Sequence, residues 1–193
     1  MAGPVVASIR ARLWAALVAL LSCGVAPAAA CEASFPGVVE AAGAPLVING
    51  QGWRIVSPWG VRAYAAALYQ PSITTNASEA LRLGRPWAVE MIYCREAPVA
   101  AIREAWLKSL RANCVADCGL DGAATDAFLA TLRDARPQAR WRFIFDGRRV
   151  AVLDGGVGRG TVVGPPFARA LLATWIGAAP PTVALRDALL GRR

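Results

Sequence analysis

Two side chains in the first third of the chain carry chemistry that can be brought together: Arg54 and Tyr64. Arg54 closes the segment Asn49-Gly50-Gln51-Gly52-Trp53-Arg54. Tyr64 lies within Val61-Arg62-Ala63-Tyr64-Ala65-Ala66-Ala67-Leu68-Tyr69. Asn and Gly tolerate positive φ, so Asn49-Gly50 and Gly52 read as turn formers. Pro58 and Gly60 interrupt the apolar run that follows and break or hairpin the strand there. The stretch reads as a turn, a strand, a second turn and a longer strand, with Arg54 and Tyr64 on neighbouring strands. Each presents a polar tip on an apolar body, and the two are expected to converge inside a cleft. The plainer alternatives are a surface arginine paired to an acid and a core tyrosine bonded to backbone.

Other chemistry is excluded by absences. The chain contains no histidine, which rules out a Ser-His or Cys-His catalytic pair and any His-ligated metal. Gly155, Gly156, Gly158 and Gly160 invite a phosphate-cradle reading, but the spacing is not G-x-G-x-x-G and no Gly-Lys-Ser/Thr is present. A bulged connection in a sheet fits better, and no cofactor is expected. The net charge of +8 comes from arginines scattered among acids, as in Arg103-Glu104, Arg133-Asp134 and Arg186-Asp187. Without a basic run interleaved with aromatics, this reads as a solvated surface and not as a nucleic-acid partner site.

Residues 1–30 read as a secretory signal. Arg10 and Arg12 form a basic start, Leu13 to Leu21 is an apolar run too short to span a bilayer, and Ala26-Pro27-Ala28-Ala29-Ala30 offers small residues for cleavage. Processing after Ala30 leaves residues 31–193 with no integral span and a charge of +6, the +8 less Arg10 and Arg12. The competing reading is a lipid anchor, with Leu20-Leu21-Ser22 leading into Cys23 or, less well, Ala28-Ala29-Ala30 into Cys31, and an uncleaved anchor ranks third. Each route places the protein outside the cytoplasm, periplasmic or secreted. Cleavage leaves Cys31, Cys94, Cys114 and Cys118, an even number in an oxidising compartment. Cys114 and Cys118 are a short-range pair suited to stapling a helix end. Cys31 with Cys94 then follows by elimination, although sequence leaves all three connectivities open.

The elements that hold these residues alternate in type along the chain. Short strands are expected around Phe35–Glu40 and Pro45–Asn49, then the stretch containing Arg54 and Tyr64. Asn76-Ala77-Ser78-Glu79 has the residues of a helix N-terminus, with Asn76 as cap and Glu79 three positions on. Trp87, Val89, Met91 and Tyr93 alternate onto one face of a strand. Pro98 opens an amphipathic helix carrying Ile102, Ala105, Trp106 and Leu110. Thr125 to Ala135 forms another, with Phe128, Leu129 and Leu132 inward. Trp141–Phe145 and Arg148–Leu153 are strands joined by an Asp146-Gly147 hairpin turn. Thr161–Val163 is a last strand, Pro166–Trp175 an apolar helix, and Thr182 caps a final helix. One domain of the α+β class follows: an antiparallel sheet with helices against one face.

In that order, the pieces resemble the chalcone isomerase-like family, and within it the exported bacterial members. Gly50-Gln51-Gly52-Trp53-Arg54 looks like the family's Gly-x-Gly-x-Arg turn. Val61 to Tyr69 looks like its Tyr-ended strand, and Met91 to Glu96, followed by the Ile102–Trp106 helix, sits in the place of its cleft-lining strand and helix. Phe167 to Gly177, with Thr174-Trp175-Ile176-Gly177, looks like its helix ending in Trp-Ile/Leu-Gly. The resemblance covers residues 35–191 and implies an open-faced β-sandwich with a cleft between sheet and helices. In the family's plant isomerases an Arg, a Thr, a Tyr, an Asn and a Thr or Ser line that cleft. Here Arg54 fits the arginine and Thr174 the last hydroxyl. Tyr64 stands where the first Thr would be, and no Tyr/Asn pair is evident near Ile102 and Trp106–Ser109. The non-catalytic members bind fatty acids through an Arg and a Tyr, and Arg54 and Tyr64 are similar to that pair. A guanidinium fork and a phenol together suit a carboxylate. The resemblance therefore implies a small apolar acid as partner, held by Arg54, Tyr64 and Thr174, its tail among Trp53, Met91, Tyr93, Trp106 and Leu172. The alternative is an isomerase for an enone, with Arg54 stabilising oxyanion charge.

Overall fold

A computed structural model of the chain describes residues 31–41, 43–114, 118–120 and 122–192. The leader read over residues 1–30, with Cys23, lies outside the described residues.

The described residues form a seven-stranded antiparallel sheet in which neighbours in sequence are neighbours in space. Its strands are β1 (Val38–Ala41), β2 (Ala44–Ile55), β3 (Arg62–Gln70), β4 (Trp87–Tyr93), β5 (Arg140–Phe145), β6 (Arg149–Asp154) and β7 (Val157–Val163). The helices are α1 (Ala77–Ala80), α2 (Val99–Asn113), α3 (Gly122–Thr131), α4 (Pro165–Ile176) and α5 (Val183–Leu189). The sheet is curled, and its helix-facing side forms the main core. Trp87, Val89, Met91, Trp141, Phe143 and Phe145 pack there against Trp106, Leu110, Phe128, Phe167, Leu171 and Trp175. Trp106 lies at its aromatic centre, with ring centroids 5.0 Å from Trp175 and 5.3 Å from Phe128. Strand alternation turns the other residues of β3 and β4 to the opposite side. A smaller cluster of Leu46, Ala67, Tyr69 and Ala88, with Phe35 and Ile144 against it, closes that face.

The opposite face also holds Glu90, fully buried on β4. It accepts from Arg140 and from Arg142, its register partner on β5. A carboxylate taken out of water this completely requires such partners.

Asn49 to Gly52 forms no turn. β2 runs straight through it, with a register shift between Ile48 and Gly50. The reason lies in Asn49, whose side chain ties that bulge down. It donates to the carbonyls of Thr74 (3.0 Å) and Leu189 (2.8 Å) and accepts from the Thr74 amide. The two glycines serve close packing instead of a turn. A Cβ at Gly50 would strike the carbonyl oxygens of Ala188 and Leu189, and one at Gly52 would sit 2.7 Å from the Ala188 Cβ. The α5 helix therefore lies directly on the β2 backbone.

The β5–β6 turn is displaced by one residue from the expected Asp146-Gly147. Asp146 pairs with Arg149 through its own N–H, which leaves Gly147 and Arg148 as the loop. The Asp146 carboxylate accepts from the amides of Arg148 and Arg149, and Gly147 takes the positive φ of 98°. These hydrogen bonds hold the Asp146 carboxyl below its ordinary range against the opposing effect of burial. Asn76 caps α1 by accepting from Ser78 and Glu79, and Thr182 caps α5 by accepting from Leu185. Disulfides join Cys31 to Cys94 and Cys114 to Cys118. The first fastens the residues before β1 to the end of β4. The second fastens the end of α2 to residues 118–120.

Candidate functional site

Gly50, Gly52 and Arg54 alternate onto one face of β2. The first two positions are covered by α5. The third lies beyond that cover, where Pro181, just ahead of α5, borders an open space. Arg54 pairs directly with Tyr64 on β3, and Tyr64 with Tyr93 on β4. Residues directly opposite in an antiparallel ladder share a face, so Arg54, Tyr64 and Tyr93 form one row across three strands. The Arg54 guanidinium carbon lies 5.6 Å from the centre of the Tyr64 ring, and the two tyrosine rings are 6.1 Å apart.

The row forms one wall of a cavity of about 260 Å³. The opposite wall is the inner side of α2, through Ala101, Ile102, Ala105, Trp106 and Ser109. Met91 and Trp175 are apolar lining between the walls. Val56, Arg95, Glu96 and Ala97 also border it. Helical spacing explains the α2 contribution, since positions i, i+1, i+4, i+5 and i+8 share one side.

Arg54 is half-buried, and its Nε is buried with no hydrogen-bond partner. Among the described residues no salt bridge involves Arg54, Arg95 or Glu96. A guanidinium in this position is short of an acceptor, and a buried donor without one is costly. Tyr64 is 5% exposed. Burial pushes its phenol up to about 12, while the Arg54 charge and hydrogen bonding by Trp175 and Arg54 pull the other way. It is therefore a neutral donor at any physiological pH. Burial, with Tyr64 adjacent, also raises the Tyr93 phenol.

Thr174 lies in the last turn of α4 and borders the cavity, but its hydroxyl donates to the Leu171 carbonyl at 2.7 Å. Its single proton is thus committed to the helix. The expected tail-lining set is corrected at two positions. Trp53 alternates away from Arg54 and packs under the Arg62 guanidinium, 4.2 Å from the ring centre. Leu172 is buried in the core beside α1 rather than bordering the cavity. Tyr93, read from sequence as a tail contact, belongs to the polar row.

A model of the chalcone isomerase-like family matches residues 29–191. The chain belongs to the chalcone isomerase-like family. Within that family's fold, a solved fatty-acid binding protein from Arabidopsis thaliana is similar to this chain, with a TM-score of 0.68 and 16% sequence identity. The match covers 83% of this chain and 92% of that one. At this identity the likeness is one of architecture, and it bears out the open-faced sandwich. Comparison with curated protein sequences gives no match. In this chalcone isomerase-like chain the Gly-x-Gly-x-Arg segment thus has a structural meaning: the two glycines seat α5, and the arginine emerges where α5 ends.

Proposed function

We propose that this protein is a non-catalytic binding protein for a small apolar acid of the fatty-acid class, with Arg54 and Tyr64 holding the carboxylate. The observation that carries the reading is the buried, unpartnered Nε of Arg54 on the wall of a mostly apolar cavity, one strand from a neutral phenol. A carboxylate satisfies both donors at once, and Ile102, Met91 and Trp106 offer apolar surface to a tail. The architecture shared with a fatty-acid binding protein supports the same reading. Thr174 contributes shape and an acceptor oxygen, not a donor. The positions near which the family's isomerases carry a Tyr and an Asn hold Ile102, Trp106 and Ser109 here, which favours binding over cyclisation.

Export is part of the proposal. Its support is the leader together with two disulfides, which persist in oxidising compartments. The Cys31–Cys94 disulfide supports Cys23 over Cys31 as the site of the alternative lipid anchor.

Native mass spectrometry of protein purified from cells tests the reading. An acyl acid is expected on the wild-type chain and absent from Arg54→Ala. In solution, dodecanoate should displace dansyl-undecanoic acid from wild type. Its affinity should fall roughly tenfold to a hundredfold in Arg54→Ala, the scale of one charged hydrogen-bonded contact. An unaltered affinity in that variant would remove Arg54 from the site. Turnover of a chalcone, followed by absorbance, would reinstate the isomerase.

A further inference from the structure

Among the described residues are six tryptophans. Four are buried and Trp53 is half-buried, whereas Trp59 is 90% exposed. Trp59 stands at the tip of the β2–β3 hairpin, the hairpin whose base gives Arg54, Val56, Ala63 and Tyr64 to the cavity. Ile55 and Val56 below it are 45% and 49% exposed, and Pro58 is exposed beside it. The tip is ordered by its own bonds: the Val61 amide donates to the Ser57 hydroxyl, the Gly60 amide to the Ser57 carbonyl, and the Val56 amide to the Val61 carbonyl. A hairpin built to hold a tryptophan, a proline and two aliphatics in water is unusual, because such surface is normally buried. Arg62 at its base is exposed, as is Arg95 on the cavity border, with Glu96 the one acid among the charged lining residues.

We propose that this hairpin tip docks the protein on an anionic lipid bilayer, with Trp59 at the headgroup level and Arg62 and Arg95 supplying the charge. Tryptophan favours the boundary between headgroups and acyl chains, and arginine is drawn to anionic headgroups. The proposal rests on the cavity reading for its purpose: docking here brings the cavity border to the source of an apolar acid that is scarce in water. The docking itself stands on the exposed hairpin tip and the two arginines, not on the cavity.

Flotation of the purified chain with vesicles of phosphatidylcholine, with and without phosphatidylglycerol, tests it. Wild type is expected to float with the phosphatidylglycerol vesicles and to detach as salt is raised. Trp59→Ala should lower the partition roughly tenfold, and Arg62→Gln roughly fivefold. The solution affinity of Trp59→Ala for dodecanoate should equal that of wild type, since Trp59 does not line the cavity. Equal flotation of wild type and Trp59→Ala would overturn the proposal, as would no flotation at all. Conversion of a dimer to a monomer by Trp59→Ala in sedimentation would overturn it in favour of a second copy of this chain. Flotation that depends on Trp59, without any binding of dodecanoate by wild type, would sustain the docking and sink the cavity reading.

Discussion

Arg54 occupies a position where an arginine is useful only if something answers it. Its register partner is Tyr64, and beyond that Tyr93, so two phenols and a guanidinium share one row. The chain has three tyrosines in all. Burial pushes Tyr64 and Tyr69 each up to about 12 and raises Tyr93 as well. The sign follows from linkage. The unfolded phenol titrates near 10, and the folded one holds its proton to higher pH. The stabilisation is complete below pH 10 and is lost as pH rises from there towards 12. Titration of the native protein by phenolate absorbance should therefore show no step near pH 10, whereas the denatured chain shows all three. A normal step in the native protein would contradict the burial of these three phenols. That Arg54 and Tyr64 lie on neighbouring strands was legible in the sequence, because the Pro58–Gly60 turn joins those strands; their direct register was not. The place of Tyr93 in the row was not, because its alternation marked it only as inward-facing. It takes the β3–β4 register to bring it beside Tyr64.

At the scale of elements, β2 organises the site by being uninterrupted. Asn-Gly spells a turn in isolation, but here the Asn49 side chain is spent on Thr74 and Leu189, and Gly50 is required by the α5 carbonyls above it. Both partners are far away in sequence, the second 140 residues on, so no local pattern could reveal them. Gly50→Ala should destabilise the protein by about 1–3 kcal/mol through overpacking, read as a lower midpoint in urea. A neutral outcome would mean that α5 does not bear on β2. The Glu90 cluster gives a second test. The double variant Arg140→Gln/Arg142→Gln leaves a fully buried carboxylate alone, and the loss should be on the order of 3–5 kcal/mol. The partners of Glu90 were not legible in the sequence, since its arginines belong to β5.

For the molecule as a whole, the class and the layering were legible: strand periods of two, helical faces, and Pro and Gly at the boundaries yield an antiparallel sheet with helices on one side. The smaller cluster under the sheet was not, since it assembles from short apolar pieces of five different segments. The two disulfides differ in the length of chain they close, with sequence separations of 63 and 4. On the chain-entropy account, removing Cys31–Cys94 costs about 4 kcal/mol and removing Cys114–Cys118 about 2 kcal/mol. Thermal unfolding of the paired Cys→Ala variants should rank in that order.

The central claim, that a guanidinium in an apolar cavity waits for a carboxylate, is met most directly by comparing two ligands that differ in one group. Calorimetric titration with dodecanoate and with dodecanol, on wild type and on Arg54→Ala, isolates the carboxylate contact. Wild type should prefer the acid by roughly tenfold to a hundredfold, and that preference should vanish in the variant while the alcohol binds both alike. An acid preference that survives the loss of Arg54 would contradict the account.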